Sequence, residues 1–203
     1  MQLRPTSMSA AVLAGTLLVT GVGAAAPAFA DTANTSYSAA GLSSRYHVYD
    51  SGVDRSRAVG VLFYFDGDGQ YHAQRPSSAV LGRPSAGART WWENRNGNGD
   101  WFRSLAAKVV ADQRVDTTRV HLAGYSGGAE FIASEVLADR AGWIRGGGAT
   151  IIGGGGAYGS PGSSGAPKNL PVTWYVGDRD GYGATKIGNW SALQASQGGV
   201  STY

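Results

Sequence analysis

The chain has no cysteine. A disulfide framework is therefore excluded, and stability has to come from a buried apolar core. Charge is sparse as well: Asp, Glu, Lys and Arg make up 15% of the 203 residues, and the formal net charge is +3. There is neither a Lys/Arg run nor a ladder of interleaved basic and aromatic residues, which argues against a nucleic-acid partner. The one long apolar stretch, residues 10–26, is too short and too rich in Gly and Ala for a membrane span. Histidine is scarce too: the chain holds His47, His72 and His121, and none follows residue 121.

What is present begins with that apolar stretch. Arg4 precedes it and Ala28-Phe29-Ala30 closes it, the small-x-small pattern of a secretory signal peptide. Cleavage is expected before Asp31, giving an exported protein. Residues 1–30 carry one charge, Arg4, so the mature net charge is 3 − 1, or +2. Residues 31–42 are small and polar and read as a flexible leader. Residues 43–203 read as one domain, long enough to bury a core.

The organising stretch is RVHLAGYSGGAE, residues 119–130. An alternating apolar run leads into Gly124-Tyr125-Ser126-Gly127-Gly128, and helix-forming residues follow at once. If Ser126 is to stand exposed at the apex, the backbone must turn within one residue, which forces a sparsely populated φ/ψ there. Gly124 and Gly128 then leave room where a Cβ would clash. The serine lies at a helix N-terminus, where unpaired N–H groups favour developing negative charge, and the Gly127 N–H is an oxyanion donor.

A Gly-x-Ser-x-Gly turn between strand and helix resembles the nucleophile elbow of the α/β-hydrolases, most closely secreted esterases and polyester depolymerases of the polyhydroxybutyrate type. The resemblance implies a mostly parallel α/β sheet with helices on both faces, an acyl-enzyme on Ser126 and no metal or organic cofactor. Ala58–Phe65 reads as a strand buried on both faces, ending in Asp66-Gly67-Asp68-Gly69. By resemblance Gly67 or Asp68 supplies the second oxyanion donor, which requires the acidic side chains to point away from the oxyanion. Residues 170–176 form a later strand running into Gly177-Asp178-Arg179-Asp180. Asp180 takes the place of the triad acid, with Asp178 its rival. Tyr125, Trp91 and Trp92 are candidate substrate-binding residues, though one Trp ring of the pair can equally belong to the core.

The other motifs read structurally. Residues 45–50 form an early edge strand carrying His47. Asp100 caps a helix over 101–112 with Trp101, Phe102, Leu105, Ala106 and Val109 on its apolar face. His121 is a buried, hydrogen-bonded strand residue. The elbow helix runs to about Arg140, and residues 146–156 hold a short strand between glycine runs. Residues 94–100 have the superficial look of a calcium loop but lack its distal Glu, Leu105 standing there instead.

The pattern breaks at the base. The triad order Ser, acid, His requires a histidine after Asp180, and residues 198–203 only begin one more strand. Two readings stay open: the chain is part of a longer hydrolase that lacks the last strand and helix, or His72 serves as base. The expected activity is hydrolysis of a small-molecule or polymeric carboxylic ester by a monomer. The competing class is a non-catalytic secreted protein holding a polymer on Trp91, Trp92 and Trp174.

Overall fold

The computed structural model describes residues 31–50, 52–68, 80–82, 90–154, 170–175, 177 and 201–202. Its centre is one eight-stranded sheet in the order β1-β2-β4-β3-β5-β6-β7-β8. The strands are β1 (Thr32–Ala39), β2 (Leu42–Val48), β3 (Val59–Phe65), β4 (Val80–Gly82), β5 (Val115–Tyr125), β6 (Gly147–Ile152), β7 (Val172–Tyr175) and β8 (Ser201–Thr202). β2 runs antiparallel to both its neighbours, and the pairs from β4 through β3, β5, β6 and β7 to β8 are parallel. The sheet is thus mostly parallel, as expected. β8 pairs Ser201 with Val172, in the stretch expected to begin one more strand.

Two sequence expectations about the first strands need correction. The supposed leader is β1, joined to β2 by Ala40-Gly41, both at positive φ (50° and 74°), as a two-residue hairpin of the right-handed twist requires. Polar composition concealed this strand. Tyr37 anchors it: its ring meets Tyr46 and Trp101 edge-on, its hydroxyl shares a 2.7 Å hydrogen bond with Ser104, and its carbonyl accepts from the Trp101 indole. β2 is in consequence an inner strand, not an edge. His47 accepts the Asn34 N–H on it and stacks on Tyr49.

One face of the sheet carries the core. On β3 the alternation that brings Phe63 and Phe65 to 1% exposure leaves Tyr64 half-buried on the other side. Phe102 from helix α1 (Arg95–Asp112) meets both rings edge-on at 5.2 and 4.9 Å, and Phe131 from α2 (Gly127–Phe131) lies 5.4 Å from Phe65. Both helices therefore cover the same face; helices on the other face, expected from the sequence, are not seen among the described residues.

α1 begins at Arg95 with Asn94 as its cap residue, six positions before the expected start, and Asp100 lies inside it. Two glycines in the first turns argue for a loop, but tertiary contacts override them. Buried Asn98 donates to the Trp91 carbonyl, and the Arg140 side chain lies over Gly99. Residues 95–100, read above as loop-like, are helical. After Phe131 the helix continues as a π-helical stretch, Ile132–Arg140, ending where the sequence placed it.

Candidate active site

β5 delivers Ser126 to the carboxyl end of the sheet and α2 begins on the next residue. Ser126 has φ 51° and ψ −118°, a conformation that non-glycine residues adopt only under constraint. The constraint is visible. The Ser126 N–H donates to the Ile152 carbonyl at the end of β6 (2.8 Å), and its carbonyl accepts the Glu130 N–H (3.0 Å), the first bond of α2. Strand and helix together hold both sides of the serine peptide.

Glycines supply the space for this. A methyl group at Gly124 would lie 2.7 Å from the Gly128 carbonyl carbon, and one at Gly154 would lie 2.6 Å from the Ser126 carbonyl oxygen. A methyl at Gly128 would strike the backbone oxygens of Phe65 and Asp66. The end of β3 thus presses directly on the first turn of α2. The expectation that Gly124 and Gly128 flank the serine for want of room holds in these distances. Gly154, read only as part of a loop, belongs to the same packing.

The same pressing brings the oxyanion candidates together. A Cβ on Gly67 would be 3.5 Å from Ser126 Cβ and 3.1 Å from the Tyr125 ring. Gly127 is buried, and the Asp68 carboxylate occupies the position a side chain there would take. Ser126, Gly127, Gly67, Asp68 and Tyr125 therefore form one cluster, with Ser126 half-exposed.

The acidic loop is tied back through Trp91. Its N–H donates to Asp68 Oδ1 (2.9 Å) and its indole to the Asp66 carbonyl (2.8 Å). The Trp91 ring is 1% exposed, stacked on Phe131 at 4.6 Å. This corrects its assignment to substrate: a ring sealed in the core positions the loop and does not touch a ligand. Trp92, at 54% exposure, stays available. Asp66 is buried, and burial together with the nearby Asp66 carboxylate and Tyr125 holds the Tyr64 phenol above its usual pKa. Sequence reasoning passed over Glu130, buried one turn after Ser126.

Two histidines are removed as bases by distance. His121 precedes Ser126 by five residues on β5, roughly 16 Å at strand rise. His47 shares the register of Leu81, Tyr64 and Ala123, three strand spacings from β5, about 14 Å. His121 is exposed, not buried as expected, though its Nε2 does share a 2.8 Å hydrogen bond with Thr150, and partial desolvation lowers its pKa. His72, Asp178 and Asp180 lie outside the described residues. Among the described residues no group of three His, Cys, Asp or Glu converges to hold a metal.

No protein-family model and no curated protein matches the sequence. Solved structures do match in fold. A phospholipase/carboxylesterase from Dyadobacter fermentans is 18% identical, with 79% of this chain and 86% of that one covered at a TM-score of 0.55. The carboxylesterase of Bacillus cereus is 16% identical, covering 78% and 82% at 0.56. The chain has the α/β-hydrolase fold. A lipase/esterase from Lactobacillus plantarum aligns on it too, at 12% identity over 86% and 88% of the two chains with a TM-score of 0.58. Within the α/β-hydrolase fold described here, the strained Ser126 turn occupies the junction between a central parallel strand and the helix after it.

Proposed function

We propose that this protein is an exported serine hydrolase that cleaves a carboxylic ester through an acyl-enzyme on Ser126. The observation that carries the reading is the elbow: a non-glycine residue at φ 51° with its hydroxyl-bearing carbon beside the Gly67 loop and its successor Gly127 opening a helix. The Ser126 oxygen attacks the ester carbonyl, whose oxygen takes up charge between the Gly127 N–H and the 67–68 loop. An imidazole accepts the serine proton and returns it to the leaving alkoxide. Asp180 holds that imidazole in the required tautomer. Water, activated by the same base, releases the acid and restores the serine. The Asp68 carboxylate lies against Gly127 with its Oδ1 taking the Trp91 N–H, and the scheme requires that this contact keep it out of the oxyanion position. The solved structures of matching fold include several esterases, which supports an ester substrate, and a dipeptidyl aminopeptidase among them keeps an amide as the alternative.

The base is His72 or a histidine encoded beyond residue 203, since His47 and His121 are too far away. The competing reading, a non-catalytic polymer-binding protein, draws on exposed aromatics, yet of its three tryptophans Trp91 and Trp174 are each 1% exposed. Fluorophosphonate labelling and aryl-ester hydrolysis test the proposal, on this chain and on the product of the continued reading frame. Ser126→Ala is expected to abolish both signals, a loss on the order of 10⁶ in turnover. Hydrolysis that persists without the hydroxyl overturns it. Labelling of the short chain assigns the base to His72; labelling of the extended chain alone assigns it beyond residue 203.

A further inference from the structure

We infer that Trp91 is a positioning residue that sets the spacing of the two oxyanion donors, acting on turnover through contacts inside the core. The inference rests on the serine-hydrolase reading above and adds to it a residue outside both the elbow and the 66–68 loop.

Every polar group of Trp91 is engaged. Its indole N–H donates to the Asp66 carbonyl at 2.8 Å and its backbone N–H to Asp68 Oδ1 at 2.9 Å. Its own carbonyl accepts from Asn98 Nδ2 at 2.8 Å. Asn98 is buried and belongs to α1, so the tryptophan is anchored to a helix before it reaches the loop. The two donations fall on either side of Gly67. They hold the ends of the turn whose Gly67 and Asp68 N–H groups are the candidates for the second donor.

The ring reaches the first donor. It stacks on Phe131 at 4.6 Å with an interplanar angle of 27°, and meets Phe65 edge-on at 5.5 Å. Phe131 closes α2, the helix that Gly127 opens, and Phe65 ends β3 and runs directly into Asp66. One side chain thus packs on the helix bearing the Gly127 N–H and bonds the loop bearing its counterpart. Gly128, pressed on the Asp66 carbonyl, stops helix and loop from closing further; the indole bond stops them from parting. Donors aimed at an oxyanion work only when held to about 0.5 Å, so this tie bears on the transition state more than on the bound ester.

Charge gives residue 91 a second task. The Asp68 carboxylate lies against Gly127, and a carboxylate that swings toward the oxyanion opposes its charge. The Trp91 N–H holds that carboxylate by Oδ1, so a displacement of residue 91 loosens it as well.

The test takes whichever product hydrolyses aryl esters, the 203-residue chain or that of the continued reading frame, and compares it with Trp91→Phe. Phenylalanine keeps a ring against Phe131 and keeps the backbone bonds, but it has no indole donor. Should that variant fail to fold, site-specific replacement of Trp91 by 3-benzothienylalanine, which keeps the shape and puts sulfur in place of N–H, makes the same comparison. Active sites are counted by the end point of fluorophosphonate labelling, so misfolded molecules drop out. The expected result is a loss of about ten- to a hundredfold in kcat per active site with KM unchanged within about twofold. Affinity for a trifluoromethyl ketone, whose serine adduct carries the oxyanion, should fall by the same factor as kcat/KM. A merely structural ring would lower the melting temperature and the count of active sites while leaving kcat per site and ketone affinity alone, and that outcome overturns the inference. Hydrolysis that survives Ser126→Ala, or is absent from both products, overturns the serine reading and this inference with it. An active serine enzyme indifferent to the indole overturns this inference alone.

Discussion

Two corners of the molecule are built on a glycine with no room above it, and they differ in what fills the room. At the elbow, Gly128 lies under the carbonyls of Phe65 and Asp66, which are fixed by the sheet. At the start of α1, Gly99 lies under the guanidinium end of Arg140, and a Cβ on it would lie 2.5 Å from Nε. Backbone cannot retreat without breaking β-ladder bonds, but a long side chain can. The elbow is therefore rigid by construction, and the Arg140 corner is held by charge.

The contrast is sharpest in Gly128→Ala. The added methyl must displace the end of β3 or the first turn of α2, and either move also disturbs the Ser126 peptide. A loss of about 3 kcal/mol or more is expected, roughly 10 °C in melting temperature, with fluorophosphonate labelling lost alongside. A variant melting within about 2 °C of wild type would show that this corner relaxes and would erase the distinction.

Charge makes the other corner sensitive in a different way. Arg140 reaches Glu135 at 3.0 Å, Asp100 and Asn96 at 3.3 Å, and also Asp139. Glu135 and Arg140 stand five residues apart, a spacing that i→i+5 hydrogen bonding in the π-helical stretch brings onto one face. Burial raises the Glu135 pKa, and Arg140 opposes that rise. Arg140→Met removes the opposition and leaves a buried carboxylate without its cation, a cost of about 3 kcal/mol at neutral pH. The sign with pH follows. A raised carboxyl pKa in the folded state favours the protonated fold, so the deficit is smallest at acid pH and grows as pH rises through the Glu135 value. Denaturant melts at pH 4.5 and 7.5 check this; a deficit that shrinks toward high pH contradicts it.

The two corners were also unequally legible in the sequence. The elbow could be read because its geometry is local: a serine at positive φ needs small neighbours at fixed offsets, and Gly124, Tyr125, Ser126, Gly127 and Gly128 state that in five consecutive letters. The Arg140 corner could not, because nothing near Asn94 or Gly99 in the chain announces an arginine forty residues later. Its two glycines and three asparagines spell a turn until Asn98 finds the Trp91 carbonyl. β1 was hidden for a similar reason, since only Tyr37 and the small Ala39 of its eight residues pack against the core. Trp91 and Trp92 look equivalent in sequence, and only the fold decides that the first is core and the second exposed. Asp180 and His72, which rest on resemblance and on elimination, fall on residues the structure does not describe.

The smallest effect, and the cleanest comparison with Gly128, is expected from Gly99→Ala. By separation the clash is as severe as at the elbow, yet the atoms met are Nε, Cδ and Cζ of Arg140, the far part of a flexible side chain. Rotation about the Arg140 stem moves them away while Glu135 and Asp139 keep hold of Nη1; the 3.3 Å contacts to Asp100 and Asn96 weaken first. Against that loss stands the gain from placing alanine in a helix interior, about 1 kcal/mol over glycine. The two nearly cancel, and the melting temperature should stay within about 3 °C of wild type. In Arg140→Met the same substitution meets a slimmer side chain, so Gly99→Ala there should be stabilising by up to the full helix-propensity gain. A double-mutant cycle measures that difference directly. Additive effects would mean that Arg140 does not rest on Gly99, and that the early start of α1 has some other support.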